Sequence, residues 1–151
     1  MCQTEVIAVA TPEQAVRDMD IVCTATTSRE PVVQAAWLAQ GTHINAIGSN
    51  FLGKAELTPA VIGRCSVVTV DSKDQARLEA GDFTQALEEG TLHWSDVREL
   101  GQVVVGRYNG RPHAEDITLF KSLGIGLEDV AVAGKVYTLA HSAGLGRPIE
   151  W

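Results

Sequence analysis

Gly48, Ser49, Asn50 and Lys54 are the residues of this chain whose types and spacing best suit chemistry. The apolar run from Ile44 to Ile47 leads straight into Gly48-Ser49-Asn50, so a strand there ends in backbone amides, a hydroxyl and a carboxamide. Parallel strands meet ligands with such groups at their carboxyl ends. Gly53 frees the following loop from steric limits, and Lys54 brings an ammonium within reach of a ligand shared with Asn50, a phosphate or carboxylate by preference. A second polar cluster, Thr26-Thr27-Ser28, closes another apolar run that begins at Asp20. Both patterns also close ordinary strands, so residue type alone leaves a ligand site and a plain strand-to-loop exit equally open. His43, His93, His113 and His141 lack metal-ligand spacing, and no metal is expected. Ser49 lacks the Gly-x-Ser-x-Gly elbow of a hydrolase nucleophile.

The elements that must position these groups alternate between strand and helix. Glu5 to Val9 reads as a strand, and Thr11-Pro12-Glu13-Gln14 as a capping box that opens a helix to about Met19. Asp20 to Ser28 is a continuous apolar strand of the kind buried on both faces of a parallel sheet. A short helical stretch from Val33 to Leu38 leads into the strand Ile44 to Ile47. Thr58-Pro59 opens the next helix, and Ser66 to Asp71 forms a strand. Ser72 and Gln75 form a second capping box for a helix to about Ala80; another spans Phe83 to Glu89, closed by Gly90. Ser95 is expected to cap one more helix through Leu100. After an Asn109-Gly110 turn come a last strand, Asp116 to Ser122, and the longest helix, Leu127 to Ser142, with Val130, Ala133, Gly134, Tyr137 and Ala140 on one stripe. Gly124-x-Gly126 between them is not a dinucleotide fingerprint, because Asp129 stands where the third glycine belongs and no further strand with an acidic end follows.

Length and charge narrow the classes. A chain of 151 residues suits one domain with a substantial core. Twelve Lys and Arg against 19 Asp and Glu give a formal charge of -7, and the basic residues are scattered, which argues against nucleic acid and anionic membranes as partners. Cys2, Cys23 and Cys65 form no close pair, no apolar run has the length of a membrane span, and the first residues lack a signal-peptide pattern. A cytoplasmic location is expected.

Taken together, four segments resemble the ornithine cyclodeaminase/mu-crystallin family: Asp20 to Ser28; His43 to Asn50 with Gly53-Lys54 and Glu56-Leu57; Glu99-Leu100-Gly101 with Gly106 and Gly110-Arg111; and Ile117 to Gly124. The resemblance spans nearly the whole chain but only the carboxyl-terminal half of a family member. It implies an α/β fold, a partial Rossmann-type parallel sheet with flanking helices that lacks the first βαβ unit and the Gly-rich turn. Residues 1–115 would be the carboxyl-terminal part of an NAD(P)-binding domain, and 116–151 a strand and long helix returning toward a substrate and dimerisation domain. The implied cofactor is NAD or NADP, with Thr26, Ile47, Gly48, Ser49, Lys54 and Ser122 at the cofactor and Leu123 toward the substrate, a small amino acid or cyclic imine. Asn50 falls where cyclodeaminases carry an aspartate that moves a proton; a carboxamide cannot, which favours an imine reductase over a true cyclodeaminase.

Without the Gly-x-Gly-x-x-Gly turn, weak or absent cofactor binding by this chain alone is expected. Either Glu5 to Val9 should move in beside the strand after Asp20, or another chain should cover that open edge. The stripe on the last helix would be exposed or used in a dimer, and the expected partner is a second copy or a chain supplying the missing half. The alternative is a non-catalytic truncated relative that serves as a binding or interaction module.

Overall fold

The computed structural model describes residues 4–147 and residue 149. Helix α1 (Pro12–Val16) begins with the full capping box, Thr11 accepting from the Gln14 amide and the Gln14 side chain accepting from the Thr11 amide. It stops short of Met19 because Asp18 turns into the left-handed region at φ 61°, which a short polar side chain tolerates. Strand β1 (Ile21–Thr24) follows, then a single 3-10 turn, Ala35–Trp37, in place of the expected helix. Strand β2 (His43–Ala46) leads to α2 (Pro59–Gly63), capped by the Thr58 hydroxyl, and to β3 (Cys65–Val70). Helix α3 (Lys73–Glu79) carries Ser72 as its cap and runs into α4 (Gly81–Glu88). Strand β4 (Val97–Glu99), α5 (Leu100–Val104), β5 (Ile117–Lys121) and α6 (Gly126–Ser142) complete the chain.

The five strands form one all-parallel sheet in the order β1-β2-β5-β3-β4. The last strand in sequence is thus wedged between β2 and β3 and is bonded to both. Register aligns Val22, Ile44, Leu119, Val68 and Val97 in one row, each at most 5% exposed, and this row joins the core with Val61 and Ile62 of α2 and Phe83 and Ala86 of α4. The other face is only partly covered: His43, Asn45, Val67 and Phe120 line a groove of about 460 Å³ beside α5. Arg111 crosses its rim, donating to the carbonyls of Gly41 and Asp116 and to the Thr118 hydroxyl. Among the described residues no helix is long and apolar enough to cross a membrane.

The structure departs from the sequence expectations at three further places. Residues 5–9 form no strand, and Val6 and Ile7 are 90% and 74% exposed. An apolar alternation becomes a strand only where a neighbouring backbone can pair with it, and β1 is the sheet edge, with residues 5–9 not drawn in beside it. That edge position also leaves Ile21 63% exposed and Cys23 exposed, so β1 is buried on one face rather than two. Finally, Val97–Glu99 is a strand, not a helix begun at Ser95: the Ser95 hydroxyl bonds the Asp96 carboxylate, Val97 aligns with Val68, and the helix starts only at Leu100.

Candidate functional site

The strand order brings the candidate residues into line. Thr26 lies just beyond β1, Ile47 to Asn50 beyond β2, Ser122 and Leu123 beyond β5, and Asp71 beyond β3, all at the carboxyl ends of neighbouring parallel strands.

The exits of β1 and β2 are joined from below by Glu56. Its side chain is fully buried; Oε1 accepts from the Thr26 amide at 2.6 Å and Oε2 from the Gly48 amide at 2.9 Å. Burial alone would raise this carboxyl, yet hydrogen bonds from Thr26 and the Gly48 amide outweigh it, and the group lies below its ordinary value. Gly48 is required here because a Cβ would lie 2.4 Å from Glu56 Oε1 and 2.6 Å from the Thr26 amide nitrogen. The Glu56 and Leu57 amides donate in turn to Asp82 Oδ1 at 2.6 and 3.0 Å. Asp82 Oδ2 sits 3.4 Å from Lys121 Nζ, both side chains wholly buried, and Lys121 also donates to the Ala46 carbonyl at 3.2 Å. Burial pushes the Asp82 carboxyl up and the Lys121 ammonium down, each opposed by attraction to the other. One continuous polar chain therefore ties the ends of β1, β2 and β5 to the start of α4. Gly81 lets α4 approach this loop closely, since a Cβ there would fall 2.0 Å from the Lys54 carbonyl oxygen.

The fourth exit is held separately. Asp71 Oδ2 accepts from the Leu123 and Gly124 amides at 2.6 and 2.9 Å and lies 3.5 Å from the Ser122 hydroxyl, while Gly124, at φ 77°, makes the turn toward α6.

Several groups read as ligand donors are thus engaged within the protein. The amides of Thr26 and Gly48 belong to Glu56, and Ser49 is fully buried with its hydroxyl donated to the Lys54 carbonyl at 2.6 Å. Thr26 and Asn50 are exposed, Ile47 is 47% exposed, and Lys54, Ser122 and Leu123 are half-buried along the same edge. Among the described residues no cluster of three or more His, Cys, Asp or Glu could hold a metal. Glu56, Asp82, Asp71 and Lys121 carry the edge, and none of them was given a site role from sequence. Lys121 had a legible signal: it shares the inward phase of β5 with Ile117 and Leu119, and a lysine in that phase demands a buried partner.

An all-parallel sheet with its polar groups gathered at the carboxyl ends is the architecture of a Rossmann-like nucleotide-binding domain. Residues 1–144 match the ornithine cyclodeaminase/mu-crystallin family, and the chain belongs to that family. Alanine dehydrogenase of Archaeoglobus fulgidus is 39% identical over 141 residues, 93% of this chain and 43% of that protein. The structure of Thermococcus litoralis Delta(1)-pyrroline-2-carboxylate reductase with NADH and L-proline superposes with a TM-score of 0.84 at 35% identity, covering 93% of this chain and 44% of that one. An archaeal alanine dehydrogenase dimer with bound NAD superposes at 0.79 with 40% identity, covering 95% and 44%. The chain therefore spans less than half the length of the relatives it matches.

The exposed residues along the edge are Thr26, Ile47 and Asn50, with Lys54, Ser122 and Leu123 half-buried beside them. Their chemistry fits the nicotinamide end of a dinucleotide, an apolar ring bearing a carboxamide. No Gly-x-Gly-x-x-Gly sequence occurs in the 151 residues to cradle a pyrophosphate.

Proposed function

We propose that this chain is the carboxyl-terminal part of an NAD(P)-dependent oxidoreductase that acts on the imine or amine of a small amino acid. The observation that carries this reading is the adjacency of Thr26, Ile47 to Asn50, and Ser122 to Leu123 on one sheet edge, although β5 lies about seventy residues after β2. The bound cofactor supplies or accepts the hydride; the protein's task is orientation and electrostatics. Thr26 and Ile47 to Gly48 line the cofactor, Ser49 holds the loop through the Lys54 carbonyl so that Lys54 stands near the same ligand, and Ser122 and Leu123 face the ring and substrate. Asn50 donates and accepts hydrogen bonds but moves no proton, which favours an imine reductase over a cyclodeaminase that must shuttle one. Residues 116–151 then lead from the sheet, through α6, toward a substrate and dimerisation domain. A cytoplasmic setting suits this chemistry and the unpaired spacing of the cysteines.

The test is NMR titration of the chain with NADH and with NADPH, beside calorimetry. The expected result is affinity weaker than micromolar, because no Gly-rich turn is among these residues, with shifts confined to Thr26, Ile47 to Asn50, Lys54 and Ser122 to Leu123. Micromolar binding by the chain alone would overturn the weak-binding expectation. Shifts centred on the groove beside α5, or on α1, would overturn the site.

A further inference from the structure

Beyond Ala46 and Lys121 the exits of β2 and β5 turn away from each other. Among the described residues their last backbone bond runs from the Ser122 amide to the Ala46 carbonyl, at 3.0 Å. The next two amides after β2, Ile47 and Gly48, both donate to the Thr24 carbonyl of β1, at 2.8 and 3.1 Å, the second shared with Glu56. The next two after β5, Leu123 and Gly124, both donate the opposite way, to Asp71 Oδ2 at the end of β3. The other oxygen of Asp71 is engaged as well, accepting from the Ser72 amide at 2.9 Å. Two successive amides converging on one oxygen make a backbone nest, a concavity suited to an anion, and the Asp71 carboxylate fills it. Leu123 is only half-buried, Gly124 is exposed, and an added Cβ at Gly124 would meet nothing within 4 Å, so the carboxylate rather than packing around Gly124 sets this turn. The parting of the two exits leaves a crevice outside the carboxyl ends of β2 and β5, where open parallel sheets take ligands.

We propose that Asp71 is a positioning residue for the nicotinamide end of the cofactor. It acts through the loop and not by contact: it holds Ser122 and Leu123 on their side of the crevice, so that the ring enters a preformed slot. The inference rests on the proposed function, which puts Ser122 and Leu123 at the ring. Asparagine at position 71 offers one acceptor oxygen where the carboxylate has two, so either Ser72 or the Leu123 and Gly124 pair loses its partner.

The test compares NADH with ADP-ribose, which lacks the nicotinamide, by NMR titration of the wild-type chain and its variants, with amide hydrogen exchange read on the same spectra. Asp71→Asn should speed exchange at Leu123 and Gly124 and leave Ile47 and Gly48 as they were. With the freed loop in its binding conformation about one-fifth of the time, NADH binding should weaken about fivefold, whereas ADP-ribose binding should stay within about twofold. Gly124→Ala, strained at φ 77°, reaches the same turn without altering the carboxylate and should give the same split. Asp74→Asn removes a charge from the exposed surface of α3 and should give none. Unchanged NADH binding by Asp71→Asn, equal weakening of NADH and ADP-ribose, or unchanged exchange at Leu123 and Gly124 would each overturn this inference and leave the proposed site standing. Wild-type shifts away from the strand exits, or none at millimolar NADH, would overturn both.

Discussion

Glu56→Gln is the most direct test of how the candidate edge is held. The carboxylate accepts the Thr26 amide at one oxygen and the Gly48 amide at the other, so both oxygens must be acceptors. Glutamine keeps one and turns an amide group toward the second N–H. The loss of one charge-assisted hydrogen bond and the stranding of a buried donor together cost about 3 kcal/mol. In a chain of this size that lowers the melting temperature by roughly 6 to 12 °C. The pH dependence fixes the cause. Glu56 lies below its ordinary value of 4.5 when folded, so its stabilisation is fully present above pH 4.5 and disappears as pH falls through the depressed folded value. Urea unfolding of both proteins at several pH values between 3 and 7, followed by tryptophan fluorescence, measures the difference directly. It should be largest at pH 7 and close in acid. A difference that stays constant over that range, or one below about 0.5 kcal/mol at pH 7, would show that the carboxylate does not bridge the two strand ends.

Gly48→Ala should destabilise the fold by about 2 kcal/mol or more through its collision with Glu56, whereas Gly101→Ala in α5, where an added Cβ meets nothing within 4 Å, should be neutral or stabilising; equal effects in thermal unfolding would refute the close approach. Lys121→Met leaves Asp82 buried without its cation and should cost about 3 to 5 kcal/mol, part of it recovered by adding Asp82→Asn. Because burial raises the Asp82 carboxyl, the Lys121→Met protein should lose stability as pH rises above the ordinary carboxyl value of 3.8, and a flat profile in denaturant titrations would argue against an ionised buried carboxyl.

Local signals with a single physical cause were legible in the sequence. Thr11, Thr58 and Ser72 cap the helices they precede, and the apolar runs of β2, β3 and β5 stand where hydrophobic patterning places them. Long-range pairing was not legible. Residues 5–9 have the composition of a strand but no backbone to pair with, and Val97–Glu99, too short for periodicity to reveal, becomes one because β3 lies beside it. At the site, Gly48 and Ser49 were correctly placed at a strand's end, yet the first is glycine to admit Glu56 and the second turns its hydroxyl inward. No spacing rule announces Glu56, because its partners lie thirty residues before it in Thr26 and eight before it in Gly48.

The position of β5 also governs how this sheet can come into being. β1 pairs with β2, and β3 with β4, but among the described residues hydrogen bonding passes between those two ribbons only through residues 117–121. Two-stranded ribbons have little stability of their own, and parallel ones less, so neither half can settle before the last strand arrives. The core therefore cannot close until residues 117–121 have joined the strands that precede them. Until then the apolar rims of β2 and β3 stand open to whatever else is in solution, and folding waits on contacts among the most distant in the sequence.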